Sequence, residues 1–237
     1  MREKKEYVRG MKHVLTMSQR EKRKYEIQVL GKRFVVHPNV FSPKYYGETT
    51  FFARSLPVRR NEELLEIGCG TGVISVVSIL KGAARVVATD VNRDAVKNAE
   101  ENVRLHSMEN LISVREGDLY ACLSDDEEFD TIFWALPVAH IQKPIETLTM
   151  LERAIFDPDY EALERFIKGS RSFLKADGRV IVGTSPTLGH IGKVRESVCK
   201  HRFRMQLLEE TTTTESRRPV PAAWPITWQL YELVPLD

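Results

Sequence analysis

The stretch LLEIGCGTG, Leu64–Gly72, decides the fold of this chain of 237 residues. LLEIG (64–68) predicts an apolar strand, and glycines then recur at every second position. The apolar run that follows, to Leu80, predicts a helix. Glycine lets a backbone approach a ligand closely and adopt positive φ. The stretch therefore predicts a ligand-binding turn at the carboxyl end of a strand in a parallel sheet.

Strands and helices alternate along the rest of the chain. The predicted strands are 85–90, 112–118, 129–136, 179–184, 204–212 and 227–234, and the predicted helices are 93–106, 160–174 and 191–199. The last two strands lack a helix between them, which favours an antiparallel connection. This order predicts an α/β fold with a doubly wound, mostly parallel seven-stranded sheet and an antiparallel last strand.

Residues 1–57 have a different pattern. Apolar residues at helical spacing predict an amphipathic helix over 3–19, and two strand-like runs around Gly31 predict a type II′ β-hairpin with Gly31 at its first central position. Residues 1–33 hold eleven Lys/Arg and four Glu, a net charge of +7, which leaves −5 for the rest. Such an arm could bind RNA, an anionic substrate or an acidic partner, or simply face water. A ligand-binding domain is expected over 58–237.

Composition excludes several classes of protein. Hydrophobic residues at 42% and charged residues at 29% are ordinary for a folded chain with a sizeable core. The longest near-apolar run, Val73–Leu80, is far shorter than the ~20 residues that span a bilayer. No secretory signal pattern is visible, so we expect a cytoplasmic protein without membrane partners. Three cysteines without a CxxC pair predict neither a disulfide framework nor a metal site.

Carboxylates accompany the glycine loop. Asp90 ends the second strand, Asp118 ends the third, and Glu66 lies inside the first. A dinucleotide fold needs GxGxxG, but Val73 stands at the third glycine position, and Glu66 would repel a pyrophosphate. The same carboxylate attracts an ammonium or sulfonium group. Each aspartate alone also fits a turn, but together they point to S-adenosylmethionine, with its ribose at Asp90 and its adenine at Asp118.

These motifs resemble those of the class I (Rossmann-like) S-adenosylmethionine-dependent methyltransferases over roughly residues 40–237. EIGCGTG is similar to their motif I, ATDVN (88–92) to motif II and EGDLY (116–120) to motif III. The resemblance implies a Rossmann-like fold, methyl transfer and a set of cofactor-binding residues. These are Gly68, Cys69 and Gly70 at the methionine moiety, Asp90, Val91 and Asn92 at ribose and adenine, and Asp118 and Leu119 at adenine.

A closer resemblance lies upstream. The segment VFSPKYYGETTFFARSLP (40–57) is similar to one in the release-factor glutamine and adenine N-methyltransferases that closes over the methionine end of the cofactor. Thr49 matches its threonine, although it equally fits the cap of a following helix. After the fourth strand those enzymes carry Asn-Pro-Pro-Tyr/Phe. This chain reads ALPV (135–138) there, which argues against glutamine and adenine as acceptors.

Methyl transfer needs alignment of the reactants, and it needs a base only where the nucleophile holds its proton tightly. The candidate catalytic residues are His140, Glu48 and Tyr46. Trp134, at the end of the fourth strand, could pack on the cofactor's adenine, on the acceptor or in the core. We expect methylation of a nitrogen or oxygen on a small-molecule or peptide-like acceptor. The alternatives are RNA or protein-glutamine methylation, or a binding subunit that has lost its chemistry. The oligomeric state is left open.

Overall fold

The computed structural model describes residues 2–45, 47–139, 141, 143–214 and 225–236, with side chains for 10–213 and 225–236 within these ranges. The strands are β1 (Tyr25–Val29), β2 (Lys32–Val36), β3 (Glu63–Ile67), β4 (Arg85–Asp90), β5 (Ile112–Glu116), β6 (Phe129–Ala135), β7 (Leu174–Thr184), β8 (Phe203–Thr214) and β9 (Pro225–Pro235). The helices are α1 (Arg2–Ser18), α2 (Glu48–Ser55), α3 (Val73–Leu80), α4 (Arg93–Leu105), α5 (Met150–Arg153), α6 (Glu161–Ser170) and α7 (Ile191–Lys200).

Seven of the described strands form one sheet in the order β5-β4-β3-β6-β7-β9-β8. Strands β3 to β7 pair in parallel, and β9 is antiparallel to both β7 and β8. The predicted doubly wound sheet and its antiparallel last strand are thus confirmed. Because β3 lies between β4 and β6, the strand order reverses at β3. The carboxyl ends of strands at such a reversal form the usual binding crevice of an open α/β sheet.

The core has two layers, one on each face of the sheet. Successive residues of β7 alternate between them, because side chains of a strand point to opposite faces: Ile181 packs with Phe52 of α2, and Val182 packs with Phe166 of α6. All four side chains are buried. Within the described parts of the chain, no helix combines the length and apolarity that a bilayer crossing requires.

Two buried asparagines of α4 attach the β1–β2 hairpin to the sheet domain. Asn102 Oδ1 accepts the backbone N–H of Val35 at 2.8 Å, and Asn98 Oδ1 accepts that of His37 at 2.8 Å. Both amide groups donate to the carbonyl of Val35. Asn102 also donates to the carbonyl of Thr71 in the glycine loop at 2.9 Å. These side chains satisfy the free edge of β2 and connect it to the loop.

The predicted hairpin exists, but its register differs by one residue. Val29 pairs with Lys32, so the central residues are Leu30 and Gly31, with φ of 49° and 73°. Positive φ at both positions is the type I′ geometry, whose twist matches that of the flanking strands. The prediction of a type II′ turn with Gly31 first was therefore wrong, because glycine takes the second position.

The helix predicted over 160–174 is also too long. Helix α6 ends at Ser170, and a short 3₁₀ turn, Arg171–Phe173, follows it. Leu174 already pairs with Phe129 of β6, so β7 begins five residues before the predicted strand 179–184. This sheet pairing overrides the local helical pattern.

Candidate active site

A cavity of about 210 Å³ lies at the carboxyl ends of β3, β4 and β6. The predicted cofactor residues that line it are Thr49, Glu66, Gly68, Cys69, Gly70, Asp90, Val91, Asn92, Asp118, Leu119 and Trp134. Glu48, predicted to be catalytic, lines it too. His140 and Tyr46 lie outside the described residues. The fold therefore brings the described candidates together, while their individual roles stay predictions.

The glycine loop leaves room for a ligand. Gly70 has a φ of 53°, and a Cβ built there would meet no atom within 4 Å, so its backbone faces open space. Gly72 has a φ of 74°, and a Cβ there would lie 3.1 Å from that of Ala99, so α4 closes tightly behind the loop. Glycine suits both positions, one for access and one for packing.

Asp90 is held firmly at the end of β4. Its Oδ2 accepts the backbone N–H of Gly70 at 2.9 Å, and its Oδ1 accepts that of Asn92 at 2.8 Å. Burial raises the pKa of this carboxyl, and these two hydrogen bonds lower it in part. Each oxygen keeps a lone pair, so the carboxylate can accept from two neighbouring hydroxyls, as a ribose presents them.

The side chain of Asn92 makes hydrogen bonds within the protein. Its side chain caps α4 by accepting the N–H of Asp94 at 3.0 Å and donates to the carbonyl of Asn39 at 2.9 Å. Val91 beside it is more than a third exposed. The side chain of Asn92 is thus engaged within the protein, and a ligand would meet the residue mainly along its backbone.

Glu66 is buried at the floor of the cavity, where it accepts a hydrogen bond from the hydroxyl of Ser75. Burial raises the pKa of Glu66 to about 8, with a further contribution from the negative charge of Asp90. The carboxyl is thus mostly protonated at neutral pH. A cationic ligand group beside it would favour the ionised form.

Cys69 fits the role of a small packing residue. Its side chain is buried, and burial with the charges of Asp90 and Glu66 raises the pKa of the thiol well above its usual range. A thiol of this kind is a poor nucleophile because the thiolate is the reactive form.

Asp118 carries a partner that the sequence did not reveal. Arg165 of α6 donates to both its oxygens, at 2.6 and 3.3 Å, and also lines the cavity. Leu119, the next residue, has a φ of 54°, an uncommon conformation for a leucine that is often found at functional turns. An adenine amino group at Asp118 would therefore share the carboxylate with a guanidinium group.

Trp134 lies between the glycine loop and the core. A Cβ at Gly68 would come within 3.1 Å of its Nε1, and its ring packs against Phe166 with centroids 5.0 Å apart. The side chain is buried yet lines the cavity. It thus belongs both to the core and to the cavity lining, so a core position for Trp134 is compatible with a contact to a ligand.

The other part of the cavity is apolar, and we call it the apolar chamber. It is lined by Met11, Phe41, Phe52, Ala135, Leu136, Val138, Ile145, Leu151, Phe156, Leu188 and Trp228.

Helix α2 begins at Glu48 with Gly47 as its N-cap and without a side-chain cap, so Thr49 does not cap it. Both Glu48 and Thr49 instead line the cavity.

Helix α1 covers the apolar chamber. Met11 lines it, while Val14 and Leu15 are buried in the same core layer as Phe52. Lys12 Nζ lies 5.9 Å from the ring centre of Phe156, which also lines the chamber. The predicted amphipathic helix therefore packs on the domain and lies over the site.

The segment 145–157, between β6 and α6, is another part of the site that the sequence did not predict. It contributes Arg153 and Asp157 to the cavity lining. Asp157 is buried and accepts the N–H groups of Ala162 and Leu163, and burial raises the pKa of its carboxyl. An aspartate before a proline is typical of a helix start, which would have been the one available signal.

Comparisons with known proteins identify the family of this chain. Residues 31–206 match the family described as methyltransferase small domain. A relative from Methanocaldococcus jannaschii, provisionally assigned as a protein N5-glutamine methyltransferase, is 32% identical over 166 residues, which cover 69% of this chain and 81% of the relative. A ribosomal protein L11 methyltransferase from Syntrophomonas wolfei is 35% identical over 97 residues, or 41% of this chain and 30% of that protein.

Solved structures of methyltransferases share the fold. The ribosomal protein L11 methylase of Lactobacillus delbrueckii superposes with a TM-score of 0.57 at 18% identity, covering 85% of this chain and 84% of its own. A T. thermophilus 16S rRNA methyltransferase, solved with AdoMet and guanosine, gives 0.59 at 17% identity, covering 87% and 50%. Since the family match covers most of the chain, the chain belongs to the methyltransferase small domain family and is an S-adenosylmethionine-dependent methyltransferase.

Proposed function

We propose that this enzyme transfers a methyl group from S-adenosylmethionine to a nitrogen or oxygen of a small-molecule or peptide-like acceptor. The observation that carries the proposal is the chemistry at the end of β6. Ala135 and Leu136 line the cavity there and offer no side-chain oxygen to an amide or an aromatic amine. A flexible amine, guanidine or hydroxyl does not need acceptors that hold a planar amide or aromatic amine in place.

The residues of the site fit the cofactor. The carboxylate of Asp90 suits the ribose hydroxyls, the open backbone at Gly70 leaves space for the ligand, and Glu66 suits a positive charge. Asp118 and Leu119 would hold the adenine, and Thr49 would lie at the methionine end. When bound, S-adenosylmethionine supplies an electrophilic methyl group, so the chain itself mainly has to bind, orient and exclude water.

The apolar chamber supplies the exclusion of water. Its walls from Phe52, Phe156 and Leu188 remove competing solvent, and α1 covers it through Met11. Glu48 lines the cavity and is the described candidate for accepting a proton from the acceptor. His140 and Tyr46 stay candidates from the sequence.

Protein-glutamine methylation is the second candidate function. The relative from M. jannaschii, at 32% identity over 69% of this chain, supports it. The apolar residues at 135–138 weigh against it, because a glutamine amide needs hydrogen-bond acceptors for its N–H groups. RNA is a third acceptor to test, since residues 1–33 carry a charge of +7.

The test is transfer of a radiolabelled methyl group to a panel of amines, guanidines, hydroxyl compounds, peptides, a glutamine-bearing release-factor peptide and RNA. We expect label in a small or peptide-like acceptor and little in the glutamine peptide. Glu48→Gln and His140→Ala should lower turnover and leave the affinity for S-adenosylhomocysteine unchanged, because neither side chain is assigned to the cofactor. Efficient labelling of the glutamine peptide alone would show that the missing clamp is dispensable and would refute the proposal. Binding to RNA should weaken steeply with salt if RNA is the acceptor.

A further inference from the structure

One buried side chain joins the glycine loop to the β1–β2 hairpin. Asn102 of α4 is fully buried, and its amide group bonds to both parts of the chain. Its Oδ1 accepts the N–H of Val35 at 2.8 Å, and its Nδ2 donates to the carbonyls of Val35 at 2.8 Å and of Thr71 at 2.9 Å. Both hydrogens of the amide and its oxygen are therefore engaged.

The hairpin determines which way this amide points. The N–H of Val35 needs an acceptor, and only the oxygen of the amide can accept, so Oδ1 is fixed on the hairpin side. The nitrogen uses one hydrogen for the carbonyl of Val35, and the other hydrogen is left for Thr71. The hydrogen bond to the glycine loop thus depends on the presence of the hairpin.

Thr71 lies between two glycines of the loop. Gly70 and Gly72 have φ values of 53° and 74°, a region that glycine enters and leaves easily. The N–H of Gly70 is held by Asp90, and the carbonyl of Thr71 is held by Asn102. Thr71 is buried and lines the cavity. If its carbonyl rotated away, the buried amide would lose a partner, so Asn102 opposes a change in the shape of the loop.

Asn98 offers a matched comparison one turn earlier in α4. It is equally buried, its Oδ1 accepts the N–H of His37 at 2.8 Å, and its Nδ2 donates to the carbonyl of Val35 at 2.8 Å. Within the described parts of the chain, these partners belong to β2 and the residue just after it, and neither belongs to the glycine loop. The two asparagines therefore separate support of the hairpin from support of the loop.

We propose that Asn102 is a positioning residue for S-adenosylmethionine, and that through it the hairpin holds the glycine loop in the shape that binds the cofactor. The inference rests on the proposed binding of the cofactor in this cavity. Asn102 acts through the carbonyl of Thr71, because a fully buried side chain offers no surface to a ligand. The hairpin, which the family motifs do not include, thereby becomes a part of the chain on which cofactor affinity depends.

The test compares Asn102→Ala with Asn98→Ala. Each variant removes a buried amide that holds the hairpin, so both should lower the midpoint of urea unfolding. Only Asn102→Ala should weaken the binding of S-adenosylhomocysteine, by about tenfold in calorimetry. In the protein without ligand, only Asn102→Ala should speed up the hydrogen exchange of the backbone N–H groups of Gly70 and Gly72. That readout follows the shape of the loop and needs no cofactor.

A measurement on the wild type decides the matter even where a variant fails to fold. Titration with S-adenosylhomocysteine should shift the side-chain N–H signals of Asn102 in ¹H–¹⁵N spectra more than those of Asn98. It should also slow the hydrogen exchange of the Val35 N–H, because a loop fixed by the ligand holds the amide of Asn102 in place.

Wild-type affinity in Asn102→Ala, or an equal loss of affinity in both variants, would overturn the inference. So would equal shifts of the Asn98 and Asn102 signals in the wild type. These outcomes leave the assignment of the cofactor site standing. A wild-type protein that does not bind S-adenosylhomocysteine would instead overturn that assignment, and this inference with it.

Discussion

Replacing Glu66 by glutamine should stabilise the protein without ligand and weaken its binding of S-adenosylmethionine. The carboxyl is buried, and its pKa of about 8 lies well above the ordinary value of 4.5. The folded state therefore holds the proton more tightly than the unfolded state, and stability falls as pH rises from about 4.5 to about 8. At 1.36 kcal/mol per unit of pKa shift, the cost at pH 7 is about 3 kcal/mol. Glutamine keeps the shape and a polar group for Ser75 but cannot ionise.

The assay is urea unfolding of both proteins between pH 5.5 and 7.5. Over this range the free energy of unfolding of the wild type should fall by about 2 to 3 kcal/mol more than that of Glu66→Gln. The contributions of the other titrating groups are the same in both proteins and cancel in the difference. Ser75→Ala is the matched control, because the hydroxyl of Ser75 lowers the pKa of Glu66. Without that hydroxyl, the loss of stability should extend to higher pH.

The affinity for the cofactor should rise with pH, whereas the stability of the protein without ligand falls. A positive group beside Glu66 favours the ionised carboxylate, so affinity for S-adenosylmethionine should rise from pH 6 to 8, with release of a proton. Calorimetry in buffers of different ionisation enthalpy measures that proton. Glu66→Gln should bind about tenfold more weakly and release none. Parallel stability profiles for the two proteins, or binding without proton release, would refute this account of Glu66.

Three further predictions concern neighbouring positions. Asp90→Ala should weaken the binding of S-adenosylhomocysteine by about 1–3 kcal/mol, measured by calorimetry, because a charged hydrogen-bond acceptor is lost. Unchanged affinity would remove the ribose assignment. Arg165→Met should weaken the binding of S-adenosylhomocysteine by about 1 kcal/mol in the same assay, since Asp118 loses the partner that orients its carboxylate. Equal affinity of the variant and the wild type would show that this ion pair does not contribute to binding. Gly72→Ala should destabilise the fold by about 2–3 kcal/mol in urea unfolding, because positive φ and contact with Ala99 both oppose a Cβ.

The part of the site that a sequence can predict is the part built on regular geometry. Asp90 is the last residue of β4 and Asp118 comes two residues after β5, and parallel strands bring their carboxyl ends to one edge. Their positions in the cavity thus follow from the alternation of strands and helices. Glu66 could be placed by the same argument, but its raised pKa depends on burial that only the folded chain shows.

The other half of the site comes from distant segments. Arg153 lies in an irregular segment with no periodic pattern, and Trp228 comes from the last strand, 94 positions after Trp134. Arg165 has the pattern of an ordinary exposed helix residue, and nothing local indicates that it reaches Asp118. The hairpin register and the start of β7 were missed for a similar reason, because pairing across the sheet decided them.

The asparagine pair of α4 sets a limit on how this protein can be divided or recombined. Asn98 and Asn102 are both fully buried, and their partners are Val35 of β2, His37 just after it and Thr71 of the glycine loop. A hybrid that takes the hairpin from one relative and α4 from another would bury amide groups without partners, at about 1–3 kcal/mol for each. A chain break between α1 and Tyr25 leaves the hydrogen bonds of both asparagines intact. The hairpin should therefore be exchanged only together with α4.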